Sequence, residues 1–354
     1  MDKFKIKQLE NFVLQPENLE SIKDAIEQTF FKEENFNDFI TLVKVKDGDP
    51  IATIGQMDMV GEQGSGCDPT YEEVGIANTL ERWKLGDWQV PLKICYESLK
   101  GTVGEYCLKT GTNIGDLSDT DFMAIYINAL DRAMKQMVWR KGWFGDTQAD
   151  NTGTGGKLTS GIDKKFFTTC DGLFKRIFEA TANKNRTTIA ANSENTMADQ
   201  ISKIREKGVA TDLVDNMLMD VDSRIVDDPD AVLLMTRSLA DALTFDIKKT
   251  YHDIMPWEKI FEGFETSVYN GVKIAKVSIW DHMIHSYEKG ETAYNLPHRM
   301  VYCNPKHLMV GTPQDSLVSE LDMWFDHKER RNYLYSTGKM GTALLEPNMI
   351  WAAY

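Results

Sequence analysis

The chain has 354 residues, 42% hydrophobic and 27% charged, the make-up of a folded unit with a real apolar core rather than a disordered or fibrous chain. A formal net charge of −14 opposes bulk attraction to nucleic acid or to an anionic membrane surface. No apolar run approaches the roughly 18 residues that span a bilayer, and the start, Met1-Asp2-Lys3-Phe4-Lys5, lacks the apolar core of a secretory signal.

In chain order, the first 36 residues read as an extension. Residues 4–9 have the look of a short strand, and residues 17–30 that of a helix. In it Leu19, Ile22, Ala25, Ile26 and Phe30 recur at helical spacing between Glu20, Lys23, Asp24 and Glu27. So narrow a stripe needs a partner surface, in this subunit or in a neighbouring one. Residues 39–45 and 51–57 flank Lys46-Asp47-Gly48-Asp49-Pro50, a turn signal that predicts a hairpin between them. Gly61-Glu62-Gln63-Gly64-Ser65-Gly66-Cys67-Asp68-Pro69 is turn-rich. Two extended segments follow, 72–82 and 88–95, joined through Lys84-Leu85-Gly86-Asp87. They predict a protruding hairpin with too little apolar content for its own core.

Residues 96–109 read as a helix, and 118–141 as a long one. Ser118, Asp119 and Asp121 cap its start, Arg140 and Lys141 sit in its last turn, and Gly142 is placed to end it. At 1.5 Å per residue this is a rod of roughly 35 Å, long for a compact domain. Residues 150–161 form a polar loop, and 172–181 a short amphipathic helix. Residues 196–207 and 212–224 are two more helices. A buried strand, 231–236, runs directly into a helix over 237–249. Residues 267–277 predict paired strands around Asn270-Gly271, a type I′ turn signal. Strands over 300–304 and 307–311, a helix over 314–325, and strands over 333–337 and 343–354 complete the chain.

Chemistry is hard to find. Asn151-Thr152-Gly153-Thr154-Gly155-Gly156-Lys157-Leu158 imitates a phosphate loop, but Asn151 and Leu158 occupy the places of the first glycine and the magnesium-binding hydroxyl. His282 and His285 stand at i, i+3, a possible metal edge, with no third ligand in view. Asp220, Asp222, Asp227, Asp228 and Asp230 lack the glycine and closing glutamate of a calcium loop. Five cysteines, odd in number and without CxxC spacing, point to reduced thiols in a cytoplasmic setting. No catalytic residue, cofactor or metal is expected. Trp83 and Trp88, on either side of Lys84, say more: tryptophan beside a protruding turn marks a contact surface. The alternative is that both pack onto the base of the hairpin.

The order of parts — arm, extended hairpin, long braced helix, α/β region, returning strand — resembles the Hong Kong 97-type major capsid proteins of tailed bacteriophages, in the manner of those of phages infecting Bacteroidetes. Trp143-Phe144-Gly145-Asp146 after the rod, Asp171-Gly172-Leu173-Phe174, the 231–235 strand running into its helix, and Asn270-Gly271-Val272-Lys273-Ile274 carry the likeness. The resemblance implies an α+β Hong Kong 97-type capsid fold. Residues 1–57 would be the N-arm and 58–95 the E-loop. Residues 96–180 would be the peripheral domain with spine helix 118–141, and 181–340 the axial domain. Residues 341–354 would form a strand returning to the peripheral domain.

The implied function is self-assembly into the hexamers and pentamers of an icosahedral head. That head would enclose double-stranded DNA without sequence-specific binding. It would be built in the bacterial host cytoplasm, with portal and scaffold or decoration proteins as partners and no membrane. The assembly residues would be Trp83, Lys84, Trp88, Ile22 and Phe30. With Met1 retained, a separate scaffold or none is implied. Some family members crosslink through a Lys–Asn pair. Lys84 lies near the expected loop tip, but no asparagine partner matches, so no crosslink is carried over. An encapsulin-like protein compartment has the same fold, and a cytosolic metal enzyme built around His282 and His285 is the third reading.

Overall fold

The computed structural model describes residues 39–57, 76–95, 121–150, 158–250, 252, 254–261, 264–313, 322–329 and 331–354. The expected N-terminal strand and helix, with Ile22 and Phe30, lie outside these residues, as do the 96–109 helix and the 61–69 turn region.

Seven strands form the larger sheet. In spatial order they are β5 (Arg186–Thr187), β14 (Trp351–Ala353), β10 (Met300–Cys303), β6 (Val232–Thr236), β9 (Val272–Val277), β8 (Phe264–Tyr269) and β7 (Glu258–Phe261). β6 and β9 run parallel, as β5 and β14 do, and the other pairs are antiparallel. Every residue of β6 is buried, because successive side chains enter different cores. Leu233 and Met235 point into a core shared with α4 (Val209–Asp220) and α6 (Arg237–Thr250). Val232 and Leu234 point into a second core with α1 (Asp121–Phe144), α2 (Leu173–Thr181) and α7 (Ser278–Tyr287). Two short helices, α3 (Met197–Ile204) and α5 (Ser223–Val226), flank α4.

The second sheet runs β1 (Thr41–Lys44), β11 (Leu308–Thr312), β13 (Arg331–Leu344), β12 (Asp322–Asp326), with β4 (Gly86–Cys95) also paired to β13. β13 is one 14-residue strand serving three partners: β12 along 331–335, β4 along 331–340 and β11 along 341–344. Apart from both sheets, β2 (Pro50–Met57) and β3 (Ile76–Arg82) form an antiparallel ribbon of two strands.

The pairings correct several expectations. β1 and β2 do not form a hairpin across Lys46–Pro50; β1 runs parallel to β11 instead. β3 and β4 do not pair across Lys84 either. The two-stranded pair is therefore β2–β3, and β4 belongs to the sheet of β13. The last strand joins the β6–β9 sheet rather than the one holding β4 and β13, because Ala352 and Ala353 fill two-sided core positions beside β10.

Within the expected 314–325 helix, residues 322–325 are strand, held by the Asp326 carboxylate. It accepts the Lys328 and Glu329 N–H groups (2.7 and 3.1 Å) and closes the turn into β13. The long helix does not stop at Gly142 but continues to Phe144. Its last turn carries Trp143 into an aromatic triangle with Trp280 (4.6 Å) and Phe174 (5.1 Å). Each such contact adds about 0.5–1.5 kcal/mol beyond area burial, which offsets the roughly 1 kcal/mol cost of a helical glycine.

Candidate assembly surface

The ribbon leaves the body through a short, heavily bonded collar. Lys46 N–H donates to the Asp49 carboxylate (2.7 Å), and Gly48, at φ +86°, turns the chain. Trp83 N–H donates to Asp49 O and Gly48 N–H to Trp83 O (both 2.9 Å). The Arg82 guanidinium reaches Gly48 O (3.0 Å), and Leu85 N–H the Asp47 carboxylate (2.9 Å). The collar thus fixes where the ribbon emerges.

Trp83 lies at this collar and Trp88 in the main core, and neither is on a surface: they are 4% and 3% exposed. Each ring lies against a glycine of a facing strand. A Cβ on Gly311 would come within 2.5 Å of the Trp83 ring, and one on Gly338 within 2.6 Å of the Trp88 ring. Trp83 packs beside Val45 and Ile51 at the ribbon's base and Trp88 in the main core on β4, so neither ring is exposed within the subunit. Lys84 is exposed, but at the ribbon's root and not at its tip. The signal for both seats was already in the sequence: isolated glycines inside strands mark close approach.

An exposed aromatic face lies elsewhere, on β12, β13 and β4. Trp324, 48% exposed, stacks on its cross-strand partner Tyr333 (5.6 Å between centroids, 13° between planes). Tyr335 donates its hydroxyl to Gln89 on β4 (3.2 Å), and Tyr333 donates to Glu329. Sequence reading missed this face because it took residues 322–325 for helix.

Several buried ionisable groups are bonded into the fold. Lys141 is buried, donates to Thr169 Oγ1 (2.6 Å) and is pulled down to about 8 by burial and then by the neighbouring Arg140. Burial pushes the Cys170 thiol up to about 12, so it stays protonated. Asp281 spends its carboxylate on the backbone N–H groups of Arg237 (2.5 Å) and Ser238 (3.0 Å), capping α6; burial raises its pKa while those two donors pull it down. His285 packs on Tyr294 (4.6 Å), and no group of three metal-ligating side chains occurs among the described residues. In the acidic stretch, Asp222 caps α5 and is held at about 2 by Arg224, while Asp228 accepts from Asn304 (2.8 Å), which lowers its pKa. Of the phosphate-loop imitation only Leu158 is described, and it is buried.

Arg299 joins α2 to the segment that follows α7. It is 1% exposed, paired with Glu288, bonded to Leu296 O (2.8 Å) and set over the Phe174 ring at 4.6 Å. Beside it Lys175 bridges Asp146 and Asp171 (2.7 and 2.8 Å).

No family model matches the chain, and no curated protein matches it. Solved structures do. A structure titled for Mycobacterium phage Ogopogo matches with a TM-score of 0.53 at 11% identity, over 92% of this chain and 93% of that one. A capsid of an empty GTA particle matches at 0.52 and 11% identity, over 89% and 87%. One titled for Gordonia phage Cozz matches at 0.50 and 11%, over 92% and 89%. This is the Hong Kong 97-type capsid fold. At such identity the Hong Kong 97-type likeness is one of fold, and its value is that it extends over nearly the whole chain.

Proposed function

We propose that this chain is the major capsid protein of a tailed phage, of the kind found in phages infecting Bacteroidetes. In this reading, copies assemble as hexamers and pentamers into an icosahedral head enclosing double-stranded DNA. The observation that carries the reading is the β2–β3 ribbon, whose strands pair only with each other among the described residues. A two-stranded ribbon is marginal in water by itself, and a neighbouring copy supplies the surface its own chain does not. The capsid-type fold supports the same reading.

In this assignment the E-loop is the ribbon, moved from 58–95 to 50–82. α1 is the spine helix of the peripheral domain, and the seven-stranded sheet is the axial domain. The N-arm is the chain before the ribbon. The acidic balance suits a container that does not grip its contents, since a basic lining would neutralise phosphates and bind them. Portal and scaffold or decoration proteins are the further partners, and assembly takes place in the host cytoplasm before the subunit becomes part of the virion.

Electron microscopy of the purified protein, alone and co-expressed with its phage neighbours, tests this. Closed shells with nuclease-protected DNA in the co-expressed sample are expected. Shells holding a protein cargo and no DNA would instead make it an encapsulin-like compartment. A monomer at high concentration that never closes would overturn both.

A further inference from the structure

Asn270-Gly271 is the single Asn-Gly step in the chain. The pair is chemically labile, because glycine has no side chain to shield its backbone nitrogen. Once that nitrogen has given its proton to hydroxide, it attacks the asparagine Cγ. A C–N bond forms, the Cγ–Nδ2 bond breaks, and Nδ2 leaves as ammonia with a proton from solvent. Water then opens the cyclic imide to aspartate or isoaspartate. Burial does not prevent this here: Asn270 and Gly271 are both exposed, and nothing stands within 4 Å of where a Cβ on Gly271 would be.

We infer that Asn270 is a latent deamidation site, held closed by its turn and by Asp215 on α4, and opened when the β8–β9 hairpin parts from that helix. Asn270 and Gly271 have φ of +47° and +81°, both left-handed, as a type I′ turn requires. In that turn the asparagine ψ is about +30°. Gly271 N then lies nearly opposite Asn270 Cβ about the Cα–C bond, whereas ring closure needs the two eclipsed. Five successive register pairs, from Tyr269–Val272 to Glu265–Lys276, hold the turn in this form, and β9 is paired to β6 on its other side. The leaving group is held too. Asn270 Nδ2 donates to Asp215 Oδ1 (3.2 Å), and the Tyr269 hydroxyl donates to the same oxygen (2.9 Å). The Tyr269 ring packs at the edge of the core shared with α4 and α6, which fixes that carboxylate in place. The carboxylate also repels the negative charge that Gly271 N must carry to attack. Conversion would put a second carboxylate where Nδ2 now stands, so the reaction, once run, works against the hairpin closing again on α4. The chemistry is read on single subunits and stands or falls independently of the shell.

The test incubates the full chain at mildly alkaline pH, folded and in urea, and follows amide-to-acid conversion by mass spectrometry of the tryptic peptide 260–273, which lies between Lys259 and Lys273. A hydrogen bond to a charged acceptor shifts an equilibrium by about ten- to a hundredfold, so the folded parent should convert at least about tenfold more slowly than the unfolded chain. Folded Asp215→Ala should convert about tenfold faster than the folded parent, at the parent's urea midpoint. If that midpoint falls, Asp215→Asn takes its place; it keeps an acceptor oxygen without the charge, and a severalfold acceleration is expected. Equal rates for folded and unfolded parent would overturn the inference. So would a folded Asp215 variant that converts as slowly as the parent.

Discussion

Two indole rings and the glycines facing them seat the ribbon's root and, beside it, β4 on β13. Because Gly338 has no side chain where Trp88 crosses it, Gly338→Ala forces a Cβ to 2.6 Å from the ring. Overpacking of this kind costs about 1–3 kcal/mol, and a shifted urea midpoint with an unchanged slope would register it. A second residue sets a pH limit. His298 is buried, with Nε2 donating to Gln200 O (3.1 Å) and Nδ1 accepting from Ser238 Oγ (2.9 Å), and burial pulls its pKa down to about 4. The unfolded chain takes up this proton near pH 6.5, while the folded one resists until about 4. Stability is therefore fully present above 6.5 and falls as the pH drops between these values, by on the order of 3 kcal/mol. His298→Gln should flatten that part of the stability–pH curve; a curve as steep as the parent's would assign the loss to other groups.

Among the elements, the β2–β3 ribbon and the β12–β13 hairpin carry the assembly argument. Replacing residues 54–78 with Asn-Gly joins the paired residues Thr53 and Thr79 through a two-residue turn and spares the collar. The shortened subunit should melt like the parent yet fail to close shells under the microscope. Normal particles would remove the ribbon from assembly. A cut over 61–90 would be no test, since it removes part of β4 and unpairs β13. Trp324→Ala should weaken assembly by at least tenfold in critical concentration while changing the subunit midpoint little, because its ring is half in solvent. Trp88→Ala should do the reverse.

What the sequence made legible divides by the range of the interaction. The 118–141 helix, the 231–236 strand and the Asn270-Gly271 turn carry their own signals, and all appear within a few residues of where they were expected. The partners of β1, β3 and β4 are about 20 to 270 residues away, that of β1 in a parallel pairing, and no local pattern names them. That is why local pattern puts the hairpin one strand too late and predicts exposed tryptophans. The 322–325 segment alternates too briefly to separate strand from helix.

For the molecule as a whole, two cores share the seven-stranded sheet, and Arg299 and Glu288 sit where α2, α7 and that sheet meet. Removing one partner leaves the other charge buried, so Glu288→Ala should cost about 3–5 kcal/mol, whereas a variant replacing both with apolar residues should recover much of it. Chemical denaturation of the pair of variants would show this.

β13 has a mechanical consequence. Fourteen residues at about 3.4 Å each make a bar of roughly 48 Å, laced to β4 by ten successive register pairs. Ladder hydrogen bonds lie perpendicular to the strands, so tension along the bar loads all those rungs at once and does not unzip them one by one. Tension applied at the Trp324 end would meet a lap joint, the geometry in which many weak bonds yield only together.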